Sequence, residues 1–220
     1  MAAGTDETIQ LDGRRAADIA KGLRAHGLLA SRSDEDVQAA FASEWPDGVE
    51  ATPWSAELLV AAMDVERVLH RDAECDPFPR NRAYVAWVEA FADISRGALE
   101  VTRVEERWLA DPSDDPTHHP VEILVETPRG RAVFRPFQAG DYVHPDEIAA
   151  ALNTLMPLEG PRFWLAPTGG QDALAIALTG PEKGRLESER GWRFHDPVAA
   201  PMVDEPGGIL RRLRRAFGRK

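Results

Sequence analysis

The sequence predicts an α+β protein, and three observations carry that prediction. Apolar residues recur at helical spacing through roughly the first 96 positions, the period changes toward alternation near Gly97, and the strands beyond it are joined mainly by hairpins. Hairpins make antiparallel neighbours, so the order β-β-β-α-β-β-α reads as a mainly antiparallel sheet with helices packed on one face, not as a parallel nucleotide-binding sheet. The 220 residues, 43% of them hydrophobic, suffice for one sizeable core or two small ones. A helical region spans 1–96, and a sheet region at 97–196 is expected to form one globular unit with it. A linker at 197–208 and a basic amphipathic helix at 209–220 follow.

Ala16, Ile19, Ala20 and Leu23 mark the first helix, which breaks at Gly27. Ser33, followed by Asp34, Glu35 and Asp36, reads as an N-cap with acids in the first turn of a second helix carrying Val37, Ala40, Phe41 and Trp45. Pro46-Asp47-Gly48 ends it, and Thr52-Pro53 opens a third helix with Leu58, Leu59, Ala62, Val65 and Leu69 on one stripe. Tyr84, Trp87, Val88 and Phe91 make a fourth stripe. Leu99 and Val101 open a candidate strand toward Trp108, with a slip in alternation near Arg103 and Val104. Val121 to Glu126 and Arg131 to Phe137 flank the turn Thr127-Pro128-Arg129-Gly130. Pro145, Asp146 and Glu147 then start a helix with Ile148, Ala151, Leu152 and Leu155. A second hairpin, Arg162 to Ala166 and Ala173 to Leu178, and a short helix from Pro181 to Arg190 complete the body.

Charge is unevenly distributed. The net charge is −11, yet the last twelve residues supply six cations, so residues 1–208 alone carry −17. Such a surface repels nucleic acid and suits either solubility or a cationic partner protein. The lone Cys75 excludes an intrachain disulfide and a cysteine-rich zinc site, and it fits a reducing cytoplasm. No apolar run follows a basic start at the N-terminus, and no segment approaches the roughly 20 apolar residues of a spanning helix. The body is therefore expected to be soluble and cytoplasmic.

Ile209, Leu210, Leu213, Ala216 and Phe217 fall on one side of a helical wheel, and Arg211, Arg212, Arg214, Arg215 and Arg219 on the other, with Lys220 at the fraying end. An apolar face bordered by guanidinium groups is what an interfacial helix needs on an anionic membrane, and twelve residues are short enough to fold mainly on contact. The segment GGILRRLRRAFGRK resembles the C-terminal membrane-targeting helices of bacterial division-site ATPases and actin-like division proteins. That resemblance covers residues 207–220 and implies targeting alone, because the body has no G-x-x-x-x-G-K-[ST] loop. Packing of the same helix on the acidic body, or binding of nucleic acid through its cations, are the alternatives. Aromatics interleaved for base stacking are absent, which sets nucleic acid last.

Within the body, Thr168-Gly169-Gly170-Gln171-Asp172 is the ligand-loop candidate, since two glycines permit close backbone approach beside polar side chains; the same residues also suit a plain hairpin turn. His118 and His119, near Asp111, Asp114 and Asp115, are weak metal candidates in a Pro-rich loop. No cofactor is expected and no catalytic residue is assigned, for there is no G-x-S-x-G elbow and no H-x-x-x-H helix. The segment FWLAPTGGQDALAIALT is loosely similar to small uncharacterised bacterial domains of the immunity-protein kind, a likeness that transfers no residue role. Two functions follow as expectations. The first is a non-enzymatic adaptor or immunity-like domain that binds a protein partner and docks by its tail on an anionic membrane surface. The second is an enzyme whose site is assembled from dispersed acids such as Asp141, Asp146 and Asp172 and the loop histidines.

Overall fold

The computed structural model describes residues 8–75, 77–109, 121–137 and 141–197. The predicted tail, Ile209 to Lys220, and the loop with His118 and His119 lie outside the described residues. The fold is α+β, with six helices and antiparallel sheets among the described residues.

Helix starts follow their capping residues. Asp12 accepts the Arg15 N–H at 2.8 Å to begin α1 (Gly13–Arg24), and Ser33 and Asp36 form a reciprocal capping box on α2 (Asp34–Glu44). Thr52, with Pro53 in the first turn, begins α3 (Pro53–Ala61). Between these helices two short strands, β1 (Ile9–Leu11) and β2 (Val49–Ala51), pair with each other; at three residues each they are too short to announce themselves by alternation.

The third helix is shorter than its apolar spacing predicts. It ends at Ala61, Val65 is 67% exposed, and Leu69 belongs to a strand, β3 (Val68–Asp72). A turn intervenes because Asp64, only 4% exposed, accepts the backbone N–H of Leu29 at 2.6 Å, at a residue whose φ is +56°. Burial pushes the Asp64 carboxyl above its usual range, opposed by that hydrogen bond and by the Arg67 charge.

Helix α4 (Ala83–Ile94) buries all four residues of its predicted stripe. Its N-cap residue, Arg82, sits at φ +49° and gives no side-chain cap. The acceptor comes from another element: Glu106, on β4 (Arg103–Trp108), takes the Val85 N–H at 2.9 Å and the Trp108 indole N–H at 3.3 Å. Leu99 is buried ahead of β4, in a loop where the Ser95 hydroxyl accepts its N–H at 3.2 Å, so that strand starts later than the alternation implies.

The remaining order is β5 (Val121–Thr127), β6 (Gly130–Phe134), α5 (Pro145–Asn153), β7 (Arg162–Ala166), β8 (Asp172–Leu178) and α6 (Gly180–Arg190). Thr127 pairs with Gly130, leaving Pro128-Arg129 as the turn. The described strands pair antiparallel, as expected, in three sheets, β1-β2, β3-β8-β7 and β4-β5-β6. Helices also cover both faces of β3-β8-β7, not one. The reason lies in β8, buried at every position from Ala173 to Leu178 and apolar on both sides. Ala173, Ala175 and Ala177 meet Trp87, Phe91 and the inner face of β5 and β6; Leu174, Ile176 and Leu178 meet α1, α2, α3 and α6. Since β3 comes from the region before residue 97 and β8 from the region after it, their pairing ties the two regions through one sheet.

Candidate functional site

The loop between β7 and β8 carries the site. Its tip turns where Gly169 adopts φ +78°, and the Thr168 hydroxyl donates to the Asp172 carbonyl at 2.6 Å, closing the hairpin. Trp54 on α3 donates its indole N–H to the Pro167 carbonyl at 3.2 Å, which pins the loop's entry to the body. Its exit is held by a second strand crossing: the Ala73 N–H donates to the Gln171 carbonyl at 3.2 Å, the Val143 N–H to the Ala73 carbonyl at 2.9 Å, and the Cys75 N–H to the Asp141 carbonyl at 2.9 Å. Residues near 73, 142 and 171, far apart in sequence, are thereby laced side by side.

This lacing gathers carboxylates. Asp72 and Asp172 are direct cross-strand partners, Glu74 forms a bridge pair with Tyr142, and Asp141 is next to it. Like charges placed opposite each other repel. A hydrogen bond with Asp141, and then the Asp141 charge, raise the Glu74 carboxyl above its usual range, while Gln171 opposes this by donating to it. Tyr142 is pushed up by desolvation first and then by the charges of Glu74 and Asp72. Gln171 opposes both shifts. His70 Nε2 lies 3.7 Å from Asp172.

Beneath this mouth is a cavity of about 330 Å³. Its walls mix apolar side chains, among them Val143, Leu165 and Leu174, with Tyr142, Asp146, Asp172 and His195; among the described residues no lysine or arginine lines it. His195 Nε2 and Asp146 Oδ1 are 2.7 Å apart, and the His195 N–H donates to the Leu165 carbonyl at 3.1 Å, so the chain after α6 is latched to the cavity wall. His144, which enters α5 as its N-cap residue, also lines the cavity and meets the exposed Phe137 ring edge-on at 5.7 Å.

Of the predicted residues, Thr168 to Asp172 line this cavity, and they also form the hairpin turn. Asp146 and Asp172 converge on it from α5 and β8, while Asp141 is not in its lining. Tyr142 and the His195–Asp146 pair have no local signal in the sequence that would join them to the loop, nor does Glu74, which is bridged to Tyr142. Among the described residues, no group of three or more His, Cys, Asp or Glu is placed to hold a metal ion. No described helix is long and apolar enough to cross a membrane. His26, buried 3.8 Å from Glu189, is remote from the loop in the fold.

Chemically the mouth is a set of acceptors. Carboxylates and carbonyls dominate its polar surface, and of the two hydroxyls on the wall Thr168 already donates its proton within the hairpin. A cation with several N–H donors and an apolar stem complements such a lining. Comparison with known protein families, curated proteins and solved structures finds no match to this chain.

Proposed function

We propose that this protein is a non-enzymatic binding domain of the adaptor or immunity-like kind, which receives a cationic side chain of a protein partner in the acidic mouth at Gln171 and docks reversibly on an anionic membrane surface through residues 209–220. The observation that carries the first half is a cavity lined by Asp146 and Asp172, with no lysine or arginine among its described lining residues, beside the strand crossing that brings Asp72, Glu74 and Asp141 near it. A carboxylate such as Glu74, whose affinity for a proton is raised by a neighbouring charge, gains likewise from an arriving guanidinium or ammonium group. Binding should weaken on acidification, because a protonated Glu74 has one charge fewer to offer.

Hexa-arginine amide, titrated into the full-length chain at low salt and followed by fluorescence anisotropy, tests this. Replacing Glu74 with Gln and Asp141 with Asn together should weaken binding about tenfold, with hexa-glutamate giving no signal. Equal affinity in the parent and the double variant would remove the mouth from the reading.

Support for the membrane half comes from the tail's two segregated faces and its resemblance to division-protein targeting helices. Vesicles containing phosphatidylglycerol should retain the intact chain at low salt and release it at high salt. Exchanging Arg211, Arg212, Arg214 and Arg215 for serine in the full chain should lower retention at least about tenfold, at roughly 1 kcal/mol per cation before screening. Undiminished retention of that variant would end the tether reading.

A further inference from the structure

We infer that the cavity under the Thr168–Asp172 loop is also the docking site of the chain's own tail, residues 209–220, so that the tail and an external cationic partner compete for one mouth. This rests on the cation-binding reading and adds its regulation.

Three separate observations point to this occupant. The first is where the described chain ends. His195 is itself part of the cavity wall, fixed by its contacts to Asp146 and Leu165, and the description stops at residue 197. The eleven residues 198–208 then reach Ile209. Fully extended they span at most about 36–40 Å, far more than the width of the mouth, so the tail starts within reach of the site.

The second is complementarity of charge. The tail carries six cations against −17 on residues 1–208, and Asp146 and Asp172 line the cavity, with Glu74 bridged to its wall residue Tyr142 and Asp141 next to Tyr142 in the chain. The third is complementarity of kind. The wall joins the buried Val143, Leu165 and Leu174 to the more exposed Tyr142, Asp146 and Asp172. The tail has the matching division, with Leu213 and Phe217 on one side and Arg214 and Arg215 on the other. A cavity of about 330 Å³ is at the small end of ligand sites and fits one or two anchoring side chains, not a whole helix. The arginines would then lie along the rim.

Attachment makes this binding intramolecular. A short connection supplies an effective concentration on the order of millimolar, enough for a weak site to be mostly filled by its own tail and displaced by a stronger partner. Because the same face of the tail would enter a membrane, docking on an anionic surface empties the cavity, and the two halves of the proposed function become coupled.

A fluorescent peptide with the sequence GGILRRLRRAFGRK, added in trans at low salt, separates the possibilities. It is titrated into the full-length chain and into the full-length chain with Arg211, Arg212, Arg214 and Arg215 changed to serine. Both proteins are first shown to unfold at the same denaturant concentration. The neutralised chain should bind the peptide at least about tenfold more tightly, since its cavity is no longer occupied in cis. Equal or weaker binding by the neutralised chain overturns the cis docking while leaving the mouth as a cation site. Binding to neither protein overturns the site itself. A third chain, with Glu74→Gln and Asp141→Asn in the neutralised background, should lose the gain; if it keeps it, the peptide is binding elsewhere and the inference falls.

Discussion

Changing Glu182 to alanine is expected to destabilise the fold by about 3–5 kcal/mol, measured by chemical denaturation at neutral pH. One carboxylate on α6 serves three partners from separate parts of the chain. Arg67 donates to it at 3.0 Å from the turn before β3, Arg96 reaches both oxygens at 2.9 and 3.0 Å from the end of α4, and the Thr179 N–H and hydroxyl donate at 2.8 and 2.9 Å to complete the helix cap. The Arg67 side chain is only 11% exposed, so removing its ion-pair partner leaves a buried guanidinium with the Gly27 carbonyl and the Asp64 charge alone to offset it, which costs far more than a surface pair is worth. Glutamine in the same place keeps an acceptor and should cost less.

Acidity gives this prediction a second readout. Burial works against ionisation of Glu182, but hydrogen bonds from Thr179 and the charges of Arg67 and Arg96 outweigh it and hold the carboxyl below its usual range. A depressed carboxyl contributes stability that is complete above its unfolded pKa and is lost as pH falls through the folded one. The stability gap between the parent and Glu182→Gln should therefore be full at neutral pH and close in strong acid. Asp64 and Glu106, both raised mainly by burial, run the other way: their contributions are complete at low pH and are lost as pH rises through their folded values. Only the difference between the two proteins isolates Glu182, and a gap that stays constant with pH would mean that its charge is not what joins these segments.

The helices were legible because their signals are local. Ser33 with Asp36, Thr52 with Pro53, and the stripe from Tyr84 to Phe91 each lie within a few residues of what they determine. Strand β3 was hidden for the converse reason. Val65 and Leu69 continue the spacing of Leu58, Leu59 and Ala62, and what stops the helix is the Leu29 N–H, 35 residues upstream, taking the Asp64 carboxylate. The arrangement of layers did have a sign in the sequence. Ala173 to Leu178 has no polar residue on either alternate set, which is the mark of a strand covered on both faces, and a single layer of helices cannot supply that.

For the candidate site the division is the same. Gly169 and Gly170 exposed the loop as a place for close backbone approach, since a glycine pair between two strands is a local pattern. Glu74, Asp141 and His195 could not be joined to it, because the crossing of residues 73–75 with 141–143 is a few non-local hydrogen bonds with no periodicity to read. The acidic total of residues 1–208 was visible, but total charge says nothing of where carboxylates collect. That several of them collect near the cavity walled by Tyr142, Asp146 and Asp172 is information of the fold alone.

Trp87 gives the other large expected effect, and its two variants should differ by more than their volumes suggest. The side chain is fully buried, with Phe91 at a ring distance of 6.2 Å and the Arg71 guanidinium 5.2 Å above the ring. Trp87→Ala leaves a cavity where α4 packs on β8 and should cost about 3–5 kcal/mol. The indole N–H, however, has no hydrogen-bond partner among the described residues, and an unmet buried donor costs about 1–3 kcal/mol on its own. Trp87→Phe removes that donor along with part of the ring, so the two changes offset, and its measured loss should fall well below that of alanine, near or under 1 kcal/mol. Thermal or urea unfolding of both variants decides it. A phenylalanine variant nearly as unstable as alanine would mean that the indole nitrogen is satisfied in solution and that α4 depends on the full ring and on its contact with Arg71.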